Sequence, residues 1–165
     1  MSRRTNALAT RLEQGAQALA DFASALTDAE WQMRLPKDGR KIGVIVHHVA
    51  SVYPLEMRLA HTVARGEAVE NLTSESVDKM NAEHAKKFEQ VTKEETLELL
   101  RRNSAAASAA IRALDNEYLD QTAPVSLYSG APVTCQFVIE DHAVRHSYHH
   151  LARLQAAVRS IVRAA

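Results

Sequence analysis

The chain has 165 residues, enough to bury one hydrophobic core, and is expected to form a single domain over residues 1–165. Its 20 Lys and Arg balance 20 Asp and Glu, which excludes a nucleic-acid surface as its main business, because phosphate binding needs clustered excess positive charge. A hydrophobic fraction of 46% with only 5% aromatic residues points to an alanine-rich helical bundle, and the single cysteine excludes an intramolecular disulfide.

Leu8, Leu12, Gly15, Leu19, Phe22 and Leu26 recur at steps of three and four, predicting an amphipathic helix over residues 4–26. Glu13 and Asp21 interrupt it before any signal-peptide core forms. No stretch of eighteen apolar residues follows, so no membrane partner and a cytoplasmic location are expected. Thr27 and Glu30 read as a capping box opening a short turn around Trp31, and the loop from Arg34 to Gly39 holds a proline and an Asp-Gly pair.

A second long helix is expected over residues 41–65. Pro54 lies in its interior, where it removes a hydrogen bond and bends the helix, either opening space beside His48 or simply being tolerated. Gly66 ends this helix. A shorter one follows over residues 74–88, with Val77, Met80, His84 and Phe88 on one stripe.

Thr92 to Glu95 forms another capping box, and Leu97, Leu100, Ser104, Ala107, Ile111, Leu114 and Tyr118 repeat at heptad spacing behind it. Residues 119–131, with Pro124, Ser126, Ser129 and Gly130, read as a loop across one end of the bundle. The last helix is expected over residues 132–162, with Pro132 in its first turn. The fold class is therefore all-α: a four-helix bundle with a short additional helix and no strands.

That last helix carries four of the eight histidines. His146 and His150 lie four residues apart, so their imidazoles stack on one face and can converge on one ion. Ile139, Ala143, His150, Leu154, Val158 and Ile161 share an arc with His146 at its edge, while His142 and His149 fall outside it. Taken alone, such a pair also reads as two partly buried polar side chains. On the second long helix, Val44, Ile45, Val52, Leu55, Leu59 and Val63 surround the direction of His48, and His47 points away. A neutral imidazole buried there needs partners for both ring nitrogens.

His47-His48 on one helix, followed about a hundred residues later by His146-Ser147-Tyr148-His149-His150 on the last, resembles the DinB-like family. That family comprises four-helix bundles with a three-histidine divalent-metal site, among them thiol-dependent S-transferases and proteins described as metal-dependent hydrolases. The resemblance implies His48, His146 and His150 as metal ligands, and a homodimer. The stretch around Pro54 departs from the family's usual pattern.

The expectation drawn is a metal-dependent enzyme in which these histidines hold Zn²⁺ or Ni²⁺, with a small-molecule substrate, one candidate being a low-molecular-weight thiol. The alternative is a non-catalytic dimeric bundle serving as a binding or structural module. No catalytic residue is singled out.

Other chemistries fit less well. Ser147 stands where an HExxH peptidase has its glutamate, no paired Glu-x-x-His motifs support a di-iron centre, and Cys135 lacks a nucleophile motif. His84 and His61 read as surface or rim histidines. Glu56 and Glu140 sit near the apolar arcs of their helices and read first as structural ion pairs, with an arginine such as Arg58, and second as bases behind the histidines.

Overall fold

Hydroxyl caps set most of the helix starts, though the helix from Ile42 begins after Lys41 without one. In the computed structural model, which describes residues 2–36 and 38–162, Ser2 caps α1 (Arg3–Ala25), and the Thr27–Glu30 box opens α2 (Asp28–Gln32). After α3 (Ile42–Ala64), Thr73 caps α4 (Ser74–Lys87) and Thr92 caps α5 (Lys93–Arg112). A short α6 (Asn116–Asp120) leads into β1 (Thr122–Pro124), a 3₁₀ turn (Ser126–Tyr128) and β2 (Pro132–Thr134). Helix α7 (Cys135–Val138) continues through a π-helical stretch (Ile139–Val144) into α8 (Arg145–Val162).

Two boundaries differ from expectation. The last helix starts at Cys135, because Thr134 accepts from the Phe137 N–H at 3.0 Å and is its cap. Pro132 instead lies opposite Pro124 in a two-stranded antiparallel ladder, a pairing between segments whose partner no local pattern announces. The heptad repeat from Leu97 also stops early: α5 ends at Arg112, and Tyr118 lies exposed in α6 while Leu114 stays buried.

Four long helices form the bundle: α1, α3, α5 and the continuous α7–α8 rod. Helix α1 packs along α5 and α8, while α3 packs along α5 and the α7–α8 rod, so the consecutive long helices α1 and α3 lie diagonally. Every residue of α3 from Ile42 to Ala50 is buried. This depth needs a close approach at Gly43, where an added Cβ would sit 2.4 Å from the Trp31 ring.

Pro54 removes the N–H that would bind the Ala50 carbonyl. That carbonyl accepts from Asn103 Nδ2 of α5 instead, at 2.8 Å, so the helix keeps its course without an orphaned buried acceptor. Of the predicted arc on the last helix, Ile139, Ala143, His150 and Leu154 are buried and Val158 half-buried, while the side chain of Ile161 lies outside what the structure describes. No helix among the described residues is long and apolar enough to cross a membrane.

Candidate metal centre

The buried α3 and the start of α8 run side by side, and their facing positions hold His48, His146 and His150. These three offer ring nitrogens that all lie within 4.8 Å of one another. The Nε2 atoms of His48 and His146 approach to 3.2 Å. Metal–nitrogen bonds of about 2.0–2.1 Å at a tetrahedral angle put ligand nitrogens roughly 3.3 Å apart, so this pair already has the spacing of two ligands on one ion.

Protonation states suit the same role. Glu56, two residues past Pro54 and buried, holds its Oε1 against Nδ1 of His146. The Nδ1–H donates to the carboxylate, which leaves the His146 Nε2 as a lone pair facing His48. Burial, with the neighbouring charges of His146, His84 and Arg40, pushes His48 down to about 3. Burial together with His146 and His48 pushes His150 down to about 2. Both rings are neutral at pH 7, the form that ligates a cation. Nδ1 of His150 is buried without a hydrogen-bond partner, and such an orphan costs about 1–3 kcal/mol unless something satisfies it. The donor set therefore fits a borderline divalent ion.

The structure rearranges several expected roles. Glu56 faces His146 rather than an arginine, because α8 lies across its face of α3. Glu140 does form an ion pair, with Arg11 at 2.8 Å, away from the histidines. His47 is buried although it points away from the apolar stripe, since α4 covers it: Phe88 stacks on it at 4.2 Å, and its Nδ1 lies 2.9 Å from Nε2 of His84. His84 is thus half-buried between α3 and α4, its ring edge-on to His48 at 5.4 Å, outside the three-histidine group. His61 is half-buried in the last turn of α3 and His149 is exposed.

His142 is half-buried and 2.9 Å from the Tyr128 hydroxyl, which donates to Asp141 at 2.7 Å. The stretch around it is π-helical, with Arg145 N–H reaching back to the Glu140 carbonyl five residues earlier, so each residue there advances less than in an α-helix and a regular helical wheel does not hold across it. Ser147 is fully buried and 2.5 Å from the Tyr53 hydroxyl, so it ties α8 to α3 rather than serving chemistry. Cys135 is buried, and burial raises its thiol to about 11, the character of an inert packing residue.

The histidines line a cavity of about 770 Å³. Val52, Leu55 and Leu59 of α3, Val77 and Met80 of α4, and Leu127 of the 3₁₀ turn supply apolar wall. At the histidine end stand two residues that the sequence did not flag, Arg40 and Arg153. Both bind Asp38: Arg40 through Nε and Nη2, each at 2.6 Å, and Arg153 through Nη2 at 2.9 Å. Arg153 could have been found as the residue three past His150 on the same face. Arg40, in a loop, offers no such signal.

None of the curated proteins matches the chain. Among solved structures it is similar to YfiT from Bacillus subtilis, described as a probable metal-dependent hydrolase with an unusual four-helix bundle topology, with a TM-score of 0.76, 16% identity, and coverage of 98% of this chain and 90% of that one. It is also similar to a mycothiol-dependent maleylpyruvate isomerase, with a TM-score of 0.69, 16% identity and coverage of 93% of this chain; a histidine-to-alanine variant of that protein matches at 0.70 and 15%. The chain spans 63% of the isomerase's length. At these identities the likeness is one of fold. The sequence model of the DinB superfamily matches residues 11–154, a span that contains all three clustered histidines and most of the bundle holding them, and the chain belongs to that superfamily.

Proposed function

We propose that His48, His146 and His150 bind one divalent metal ion, Zn²⁺ or Ni²⁺, and that the protein is a metal-dependent enzyme acting on a small molecule in the adjoining cavity. The observation that carries this reading is the convergence of three ring nitrogens at the end of that cavity, with Glu56 fixing the tautomer of one of them. Such an ion, when bound, supplies Lewis acidity and stabilises a thiolate or hydroxide at neutral pH.

The chain's own residues do the rest. Glu56 keeps a proton on Nδ1 of His146 and orients the ring; His48 and His150 stay neutral. Apolar side chains from α3 and α4 hold the substrate's hydrophobic part and exclude water beside it. Two nucleophiles fit, a low-molecular-weight thiol or water, giving thiol-dependent S-transfer or hydrolysis. The names of the similar structures support both, one being mycothiol-dependent and the other a probable hydrolase. This reading places the protein in the cytoplasm, where such thiols stay reduced. The family resemblance further supports a homodimer through a helical face: light scattering at micromolar concentration should give about twice the 18.2 kDa chain mass, and the monomer mass would overturn the dimer.

The test of chemistry incubates metal-loaded protein with bacillithiol, mycothiol or glutathione and an electrophilic acceptor, following thiol loss, with His150→Ala as control. Thiol loss that the variant lacks supports transfer. Thiol-independent ester cleavage lost in the variant supports hydrolysis. Equal rates in the two proteins for every thiol and ester tried would overturn the metal-dependent enzyme.

A further inference from the structure

The two arginines at the histidine end of the cavity are under-neutralised. Arg40 and Arg153 share a single carboxylate, Asp38, which leaves one positive charge in excess among the three groups. Other charged residues on the wall, Arg58, Glu70 and Asp78, are solvent-exposed, where screening weakens them. Glu56 is buried, accepts from His146 and bonds to neither arginine, so the excess is local to the Arg40–Asp38–Arg153 group.

The hydrogen-bond inventory shows the same excess. Arg40 spends Nε and Nη2 on Asp38, while its Nη1 is buried with no partner. Arg153 spends only Nη2. Among the described residues no acceptor meets Nε or Nη1 of Arg153, which lines the cavity, and an oxyanion entering there is a group that would accept from them. Both arginines line the same cavity as His48, His146 and His150, and Arg153 lies three residues past His150 on α8. A ligand group held by them therefore sits beside the three rings.

We propose that Arg40 and Arg153 form a carboxylate-binding pair, so that the ligand is an amphipathic monocarboxylate whose charged end lies on the arginines and whose apolar body runs along Val52, Leu55 and Leu59. The match is one negative charge for one excess positive charge, and a flat two-oxygen acceptor for planar donors. The cavity's length of apolar wall distinguishes such a ligand from a small inorganic anion. This deepens the metal-dependent reading by naming its substrate class, and it rests on that reading for the chemistry but not for the binding.

Calorimetry with octanoate and its uncharged counterpart octanamide tests it, on full-length protein both metal-loaded and chelator-treated. Octanoate should bind at least about ten-fold more tightly than octanamide in both preparations, and acetate should bind far more weakly than octanoate. Arg153→Gln should erase the preference by weakening octanoate about ten-fold while leaving octanamide unchanged. Should Arg40→Gln fail to fold, Arg153→Gln decides alone. Equal binding of acid and amide, or a preference that survives Arg153→Gln, overturns the proposal, as does a preference present only in metal-loaded protein, which would put the carboxylate on the metal. Metal content measured in the same samples separates the two readings: protein that takes up no metal yet keeps the arginine-dependent preference sinks the metal centre and leaves the carboxylate pair standing.

Discussion

Glu56 is the residue whose role is least visible in the sequence and most specific in the structure. It lies on the same helix as His48, yet its partner is His146, ninety residues away, and no spacing rule on one helix announces a contact made across two. Its place near an apolar arc is legible, but from the sequence it reads as an ion pair with a neighbouring arginine. The pair that forms is with an imidazole, and its consequence is a fixed tautomer. Glu56→Ala leaves the His146 Nδ1–H without its acceptor and frees the ring to rotate, so metal affinity should fall about 10- to 100-fold in a competition titration against a chromogenic chelator. Affinity equal to that of the unsubstituted protein would show that the carboxylate does not orient the ligand. The three histidines themselves were legible, because burial of His48 and the four-residue step from His146 to His150 are properties of single helices. His47 and His84 were not, since their burial depends on α4 crossing α3.

Elements were legible where a cap marked them and illegible where a distant partner decided. The Thr27 box and the Thr92 cap stand where the sequence puts them, whereas Pro132 looks like a first-turn proline until β1 pairs with β2. Pro54 shows the same limit: its presence predicts a missing hydrogen bond, but only α5 shows that Asn103 supplies the replacement. Asn103→Ala should orphan the Ala50 carbonyl and cost about 1–3 kcal/mol, read as a lowered urea midpoint with unchanged slope. No change in the midpoint would mean that α3 does not depend on that bond.

Helix α3 also meets α2 through Gly43, where any side chain collides with Trp31. Gly43→Ala forces the ring to shift, which should destabilise the fold by about 1–3 kcal/mol. The emission of Trp31, the chain's single tryptophan, reports the displacement; unchanged emission and stability would refute the close contact. The π-helical stretch before α8 left no trace in the residue pattern, and His142 lies within it, 2.9 Å from the Tyr128 hydroxyl.

At the scale of the molecule, the bundle brings a buried neutral histidine from α3 against two from α8, and an all-α class with four long helices followed directly from periodicity and composition. The diagonal placement of α1 and α3 did not, since each helix presents an apolar face whichever neighbour it meets. Three rings held together, with an unsatisfied ring nitrogen on His150, make the folded state a better metal ligand than the unfolded one, so binding stabilises the fold by mass action. Free metal at a hundred times its dissociation constant should add about 2.7 kcal/mol and raise the melting temperature, and a chelator should reverse it. A melting temperature indifferent to both would mean that the folded chain does not bind the ion preferentially.

The central claim is the metal centre, and elemental analysis of protein purified without chelator tests it most directly, alongside His48→Ala. Close to one equivalent of a divalent transition metal per chain is expected in the unsubstituted protein, with most of it lost in the variant. The same metal content in both proteins would contradict the claim.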